Sequence, residues 1–141
     1  MLPNSSQFVR KATGDNLQLL HRRLADVVVV TPTGQLDHPT AQQLQQALQP
    51  ILDDSAGVNA LVLDFAGVEY ISSMGLRVLL LAAKHMRSKN ARIAVAALQP
   101  VVDEIFGIAR FRHVVEVFPS IRDALAQVSP AALAAYDAPA R

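Results

Sequence analysis

The stretch Asp64–Leu80 reads DFAGVEYISSMGLRVLL and joins an apolar run to a helical pattern. The apolar run, ALVLDF at Ala60–Phe65, is short and continuous, as in a strand that is buried on both faces of a sheet. Apolar residues then recur at helical spacing from about Ser73 to about Ser88. A buried strand that leads into an amphipathic helix is the building unit of α/β proteins, and the stretch therefore predicts that fold class.

The same alternation extends outward in both directions. On the amino-terminal side, β-rich runs at 17–23 and 27–33 predict a hairpin, and the helical pattern of 34–54 follows it. Pro32 has no amide hydrogen to donate, so the second strand is predicted to end or bulge there. On the carboxyl-terminal side the predicted elements are a strand at 91–98, a short helix that stops near Gly107, a strand at 114–118 and a helix capped by Ser120.

This order predicts one α/β domain with a mixed sheet of four or five strands and about four helices. The sheet is expected to be mostly parallel, with an antiparallel first strand. A chain of 141 residues is long enough for one domain. Residues 1–15 are polar without periodicity and are interpreted as a flexible arm, and 16–129 are interpreted as the domain. Residues 130–141 form an Ala-rich tail that either extends a helix or hangs free.

The composition excludes several classes of function. The chain has no cysteine, so disulfides, thiolate metal sites and thiol catalysis are excluded. Its four histidines show no ligand spacing, and a formal net charge of +1 with few aromatic residues argues against nucleic-acid binding. The start of the chain lacks a signal peptide's apolar core, and no apolar run approaches the roughly 20 residues that cross a bilayer. We therefore expect a cytoplasmic protein that inserts into no membrane and binds no nucleic acid or metal.

Motifs of known enzymes are absent from the sequence. Ile71 stands two residues before Ser73, so there is no Gly-x-Ser-x-Gly elbow, and neither a P-loop nor a dinucleotide-binding glycine motif occurs. Asp37 and Asp64 stand at predicted strand ends, where two carboxylates could approach each other. Capping and solvated loop roles are favoured for both, because aspartate commonly has these roles at such positions. The chain is therefore predicted to be neither an enzyme nor a cofactor-binding protein.

The junctions between strands and helices carry the candidate site. In a parallel sheet these junctions meet beyond the carboxyl ends of the strands. Residues of two junctions are therefore expected to be near neighbours, namely Asp37, His38, Ser72, Ser73 and Met74.

Ser73 is the candidate for regulation within this group. It stands at a helix N-terminus, where free N–H groups and the helix dipole favour negative charge. A phosphoryl group there adds about −1.5 to −2 charges, which Asp37 and any carboxylate of a docked partner would repel. Phosphorylation is thus expected to change docking more than folding. The alternative for Ser73 is an unmodified helix cap, and capping is the favoured role for Ser72.

Two further residues of the predicted helix extend this surface. Met74 is a large apolar side chain at an exposed helix start, which is typical of a partner contact. Arg77 lies four residues after Ser73 and could reach a phosphate there, although a solvated arginine is the favoured interpretation. For Asp37, a capping role and a partner contact are equally favoured.

Two motifs carry a resemblance to a known family. They are Gly-x-Leu-Asp at Gly34–Asp37 and Asp-Phe…Ile-Ser-Ser-x-Gly-Leu at Asp64–Leu76. Together, and embedded in the matching β/α order from Leu17 to Val128, they resemble the STAS domain of bacterial anti-sigma factor antagonists. The resemblance implies a small α/β domain that takes part in partner switching. The unphosphorylated antagonist binds a serine-kinase anti-sigma factor, phosphorylation of one serine breaks the complex, and a serine phosphatase reverses the modification.

The resemblance also implies roles for individual residues. The family's phosphoserine lies two residues before the motif glycine Gly75, which makes it Ser73 here, and ATP belongs to the partner kinase. Many antagonists carry aspartate at the position of Ser72 and serine or threonine at the position of Met74. These departures leave Ser72 as a rival phosphoacceptor. The predicted partner surface comprises Asp37, His38, Ser72, Ser73, Met74, Gly75 and Arg77.

A second class of function stays open at this point. The chain could be a STAS module that is not phosphorylated and serves another assembly, such as a lipid-transport or transporter-linked complex. Incorporation of phosphate from a cognate kinase would distinguish the two classes.

Overall fold

The computed structural model describes residues 7–9, 17–53 and 57–138. Within these residues the chain forms one sheet in the order β1-β2-β3-β4-β6-β7, with β5 paired to β3. The strands are β1 (Gln7–Val9), β2 (Gln18–Leu24), β3 (Val27–Leu36), β4 (Ala60–Asp64), β5 (Val68–Ile71), β6 (Arg92–Ala96) and β7 (Glu116–Phe118). The α-helices are α1 (His38–Asp53), α2 (Ser73–Ser88), α3 (Pro100–Ile108), α4 (Ile121–Val128) and α5 (Pro130–Asp137), and a 3₁₀ turn covers Phe111–His113.

The predicted α/β class with a mixed, mostly parallel sheet is confirmed. The pairs β1–β2 and β2–β3 are antiparallel, whereas the pairs β3–β4, β3–β5, β4–β6 and β6–β7 are parallel. The described residues hold seven strands and five α-helices, more than the four or five strands and about four helices that were expected. The additional elements are short, and short elements with mixed exposure give little periodic signal. β5, for example, has four residues of which the middle two are exposed.

The two predicted flanking segments contribute to the sheet and its cover. Within the arm predicted for 1–15, residues 7–9 pair with β2, and the other arm residues lie outside the described part of the chain. Beyond residue 129, Pro130–Asp137 forms α5, so the helical alternative for the Ala-rich tail applies there.

The prediction that β3 ends or bulges at Pro32 is wrong. β3 continues to Leu36, and Pro32 pairs in register with Leu19 of β2. On its other side β3 pairs with β4 through Val27–Val30 and with β5 from Gly34 onward. Pro32 lies in the gap between these two pairings, where no ladder requires its missing amide hydrogen. The register shift that the structure does contain lies between Gly34 and Gln35.

Alternating side chains divide the sheet into two buried faces. The first face packs against α1, α2 and α3 through larger side chains, which include Val28, Val30, Leu61, Leu63, Ile93 and Val95. The second face packs against α4 and α5 and is rich in alanine: Ala60, Ala94 and Ala96 from the strands, and Ala124 and Ala132 from the helices. Small residues on both sides of this contact let the helices approach the sheet closely.

A hydrogen-bonded cluster holds α5 to the turn between β2 and β3. The Ser129 hydroxyl donates to Asp26 Oδ1 at 2.5 Å and accepts from the Ala132 amide at 3.1 Å, so it caps α5 while it binds the turn. The Asn59 amide nitrogen donates to Asp26 Oδ2 at 2.9 Å. The bond from Asn59, followed by that from Ser129, lowers the pKa of Asp26 below its ordinary value of 3.8. The carboxylate therefore helps to join the second helical layer to the sheet.

Candidate functional site

The parallel strands β3 and β5 end side by side, and each leads directly into a helix. Leu36 pairs with Ile71 at the last position of both strands. The Ser72 amide then donates to the Leu36 carbonyl at 2.8 Å, which ties the two junctions together. Asp37 and Ser72 consequently follow paired residues at one edge of the sheet. α1 and α2 begin there and pack against each other, so their N-termini are adjacent.

Asp37 is the N-cap of α1 and is held by a reciprocal arrangement with Thr40. The Thr40 amide donates to Asp37 Oδ1 at 3.2 Å, and the Asp37 amide donates to Thr40 Oγ1 at 2.9 Å. The Thr40 hydroxyl also lies 2.8 Å from Asp37 Oδ1 and 2.7 Å from the Gln35 carbonyl oxygen. Because Thr40 is only 3% exposed, the carboxylate is fixed from the interior of the protein. Asp37 itself stays half-buried, with part of its surface open to a partner.

Thr40 was not among the predicted site residues. The sequence nevertheless contains a signal for its role, the spacing Asp-x-x-Thr at the start of a helical pattern. This spacing resembles a capping box with threonine in place of glutamate. Recognising that spacing would have predicted that the carboxylate is oriented rather than free.

The two serines have different structural roles. Ser72 is the N-cap of α2: its backbone is extended (φ −88°, ψ 173°) and its Oγ accepts from the Gly75 amide at 3.2 Å. Ser73 is the first residue of α2 and is exposed. Within the described residues, no hydrogen bond engages its hydroxyl. The Ser72 hydroxyl therefore serves the helix, and the Ser73 hydroxyl faces solvent.

Gly75 allows α2 to start close to the ends of both strands. A Cβ atom at this position would lie 2.7 Å from Ile71 Cγ1 and 3.2 Å from Leu36 Cβ. These contacts are much shorter than ordinary van der Waals separations, so a side chain would push the first turn of α2 away from the sheet. Gly75 is buried. Unlike the other predicted partner residues, Gly75 therefore lies beneath the partner surface and lets α2 pack closely under it.

The other predicted site residues surround the two helix starts. His38 is the exposed first residue of α1, and Arg77 is exposed one turn after Ser73 on α2. Met74 is half-buried and packs partly against the core of the first face, so it offers a partner less apolar surface than its position suggested. No ion pair engages Arg77 within the part of the chain that the structure describes.

Adjacent helix N-termini make this surface electropositive at the backbone level. The first-turn N–H groups of a helix have no intrahelical acceptors, and the helix dipole adds partial positive charge. Neither α1 nor α2 has an acidic residue in its first turn. The Asp37 carboxylate, at the cap position of α1, is the nearby negative charge that partly offsets this field.

Asp37 and Asp64 do not form the carboxylate pair that their positions at strand ends allowed. Asp64 Oδ1 accepts from the Ala66 amide at 3.0 Å and belongs to the turn after β4. The Asp64 side chain also lines a groove with Ile121 of α4, on the second face of the sheet. Asp37 caps α1, which covers the first face.

Residues 7–9, 17–53 and 57–138 lack the features of two other kinds of site. No three His, Asp or Glu side chains there are grouped so that they could hold a metal ion. None of the helices in the same residues has both the length and the apolar character needed to cross a membrane.

Sequence comparison agrees with the fold. A profile of the STAS domain matches residues 19–124. BtrV of Bordetella bronchiseptica, a protein provisionally assigned as an anti-sigma factor antagonist, is 32% identical over 117 residues. That match covers 83% of this chain and 98% of BtrV.

Structural comparison leads to the same group of proteins. The crystal structure of an anti-sigma factor antagonist from Mycobacterium paratuberculosis is 27% identical, with a TM-score of 0.74, and the match covers 84% of this chain and 98% of that chain. The Bacillus protein SpoIIAA has the same fold in its unphosphorylated form (18% identity, TM-score 0.67, covering 80% of this chain and 96% of SpoIIAA). Its phosphorylated form also matches (17% identity, TM-score 0.62, covering 81% of this chain and all of SpoIIAA). The chain therefore belongs to the STAS domain family and, within it, to the group of bacterial anti-sigma factor antagonists.

Proposed function

We propose that this protein is an anti-sigma factor antagonist that works by partner switching controlled at Ser73. In the unphosphorylated state it binds a serine-kinase anti-sigma factor through the surface around the starts of α1 and α2. Phosphorylation of Ser73 by that kinase then releases it. The observation that carries this proposal is the exposed hydroxyl of Ser73 on the first residue of α2, beside the capped start of α1.

The geometry favours Ser73 over Ser72 as the phosphoacceptor. The Ser72 hydroxyl is half-buried and accepts the Gly75 amide, so a kinase would have to displace a helix cap to reach it. Loss of such a cap costs about 1 kcal/mol of helix stability. The Ser73 hydroxyl has no comparable role, and a kinase active site can approach it from solvent.

A phosphoryl group on Ser73 would act on docking rather than on folding. Its charge of about −1.5 to −2 would lie at the positive end of α2, and that interaction offsets part of the electrostatic cost. Arg77, one helical turn away and exposed, can donate to the phosphoryl oxygens. Asp37, across the junction, would be repelled by the same group. The exposed surface would thus change from weakly positive to strongly negative while the backbone beneath it is retained.

The relatives support this proposal by what is known of them. BtrV carries the provisional assignment of anti-sigma factor antagonist and matches this chain over nearly its whole length. SpoIIAA has been solved in both unphosphorylated and phosphorylated forms. We infer the same two states for this chain. ATP would be bound by the kinase, a serine phosphatase would restore the binding form, and the exchange would take place in the cytoplasm, where sigma factors act.

The proposal is tested by incubating the protein with the anti-sigma-type serine kinase encoded nearest to its gene, with Mg²⁺ and ATP, and locating phosphate by mass spectrometry. We expect one phosphate, on Ser73, that is absent from the Ser73→Ala variant. The Ser72→Ala variant is the matched control, and it should still be phosphorylated at Ser73.

Two outcomes would contradict the proposal. Phosphate on Ser72 that persists in Ser73→Ala would move the switch to the capping residue. A stable complex with the kinase without incorporation of phosphate would favour the alternative, a STAS module that is not phosphorylated and serves another assembly.

A further inference from the structure

A second concave surface lies on the face of the sheet opposite to α1 and α2. It is a groove of about 260 Å³ over β2, β3 and the end of β4, between the first residue of α4 and the end of α5. Partner switching does not use this groove, and ligand binding here would be independent of it. Its lining includes Leu20, Val29, Thr31, Asp64, Ile121 and Tyr136.

The groove exists because the second helical layer is too short to cover the sheet. α4 and α5 have eight residues each, which corresponds to about 12 Å of helix. Their connecting residue, Ser129, is bound to Asp26 in the turn at the amino end of β3. About 12 Å of helix spans only about four of the ten residues of β3, so the two helices end before the carboxyl half of that strand. An ion pair between Arg122 and Asp137 joins them at this open end.

Apolar and polar side chains both line the groove, and the polar ones are His21, Arg22, Thr31 and Asp64. Asp64 is the one carboxylate among the described residues that line it. Leu20 and Tyr136 line it and are 45% and 39% exposed, although they are large apolar side chains. Asp64 Oδ1 accepts from the Ala66 amide, whereas the second oxygen of this carboxylate has no partner among the described residues. A concave lining that combines apolar side chains with a few placed polar groups is typical of small-molecule sites.

The register of the strands separates the charges along the groove. Leu20 pairs with Thr31, and Val30 pairs with Leu63, so Asp64 is level with Thr31 and Leu20. Arg22 lies two residues further along β2, which places its Cα about 12 Å diagonally from that of Asp64, given the ordinary strand rise and spacing. The Arg22 guanidinium is 5.6 Å from the centre of the Tyr136 ring, in a cation–π contact. The free negative charge and the positive charge are thus at opposite ends.

We infer that this groove binds a small organic amine with a compact apolar body. The ammonium group would donate to the free oxygen of Asp64, and the apolar body would cover Val29 and Leu20 beneath the Tyr136 ring. The Arg22 charge at the far end disfavours a second cationic group on the ligand, so a monoamine fits better than a diamine. Because the groove is open to solvent, binding is expected to be weak.

The test uses ligands of matched shape and different charge. Titration calorimetry and amide chemical shifts are measured for the full chain with phenethylamine, with the isosteric alcohol 2-phenylethanol, and with 3-phenylpropionate. We expect phenethylamine to bind about tenfold more tightly than the alcohol, which corresponds to about 1.4 kcal/mol. The anionic 3-phenylpropionate should not bind, and the shifted amides should be those of Thr31 and its neighbours on β3 and β4.

Variants identify the group responsible. Asp64→Asn keeps an oxygen for the Ala66 amide but loses the charge, and it should reduce phenethylamine binding to the level of the alcohol. Leu20→Ser, at an exposed position, should weaken the amine and the alcohol alike. Glu69→Gln removes an exposed carboxylate that does not line the groove, and it should have no effect.

Equal binding of the amine and the alcohol, no detectable binding of phenethylamine at about millimolar concentrations, or unchanged binding in Asp64→Asn would overturn the inference.

Discussion

Replacement of Gly75 by alanine should destabilise the protein, although alanine is the better helix former. The new Cβ would lie 2.7 Å from Ile71 Cγ1 and 3.2 Å from Leu36 Cβ, and both neighbours are buried. Overpacking of this kind costs about 1–3 kcal/mol, and the gain in helix propensity returns about 0.5–1 kcal/mol. The expected net loss is therefore up to about 2.5 kcal/mol, with a central value of about 1 kcal/mol. That central value corresponds to roughly 3–5 °C in Tm for a domain of this size.

Gly107 supplies a matched control within the same molecule. It also lies in a helix, α3, but a Cβ at this position meets nothing within 4 Å. Gly107→Ala should therefore stabilise the protein by about 0.5 kcal/mol through helix propensity alone. Urea denaturation of both variants measures the contrast, and Gly75→Ala should also be a poorer substrate for the kinase because the start of α2 moves. If the two substitutions shift stability in the same direction, the steric argument for Gly75 is refuted.

Three further predictions concern other residues. Ser73→Asp should weaken binding of the partner of the unphosphorylated state more than about tenfold, while Tm stays nearly unchanged because the α2 dipole offsets the charge. The uncharged Ser73→Asn should keep most of the affinity in calorimetry, and equal losses in the two variants would point to shape rather than charge. Because the pKa of Asp26 is lowered in the folded state, the carboxylate contributes its full stability above the unfolded pKa of 3.8 and loses it as pH falls through the lower folded pKa. The difference in the free energy of unfolding between wild type and Asp26→Asn should therefore shrink from neutral to strongly acidic pH, and a constant difference would contradict this pH dependence. Ala25 has φ +54° in the β2–β3 turn, so Ala25→Gly should raise the free energy of unfolding by about 0.5–1 kcal/mol, and a decrease in denaturation experiments would contradict the backbone-strain argument.

Local patterns predicted those elements whose signals are local. The helix expected from Ser73 to Ser88 is α2 with the same bounds, because a cap, a glycine and a regular apolar stripe all mark it. The helix capped by Ser120 is likewise present as α4. β5 gave no such signal, since its position depends on pairing with an extension of β3 that is distant in sequence. Pro32 was misinterpreted for the same reason, because the sequence does not show which neighbours a strand has at each residue.

The positions of the candidate site residues in the fold were more predictable than their contacts. The parallel topology brings Asp37, Ser72 and Ser73 to one edge, as the strand–helix order indicated. Ser72 caps α2 through one hydrogen bond from the Gly75 amide. The sequence favoured capping for Ser72 but left it as a rival phosphoacceptor. The partial burial of Met74 could not be predicted, because it depends on how closely α2 approaches the strands.

The hydrogen bond from the Ser72 amide to the Leu36 carbonyl fixes the start of α2 relative to the end of β3 and therefore to the start of α1. An insertion or deletion of one residue at the end of either strand would break this bond and rotate one helix start relative to the other. Loop-length variation should therefore be tolerated at the opposite pole of the molecule, for example at the turn Lys89–Ala91, and rejected here. A designer who wishes to graft a new recognition sequence onto this scaffold can change the side chains at this edge, but must keep the residue count between each strand and its helix.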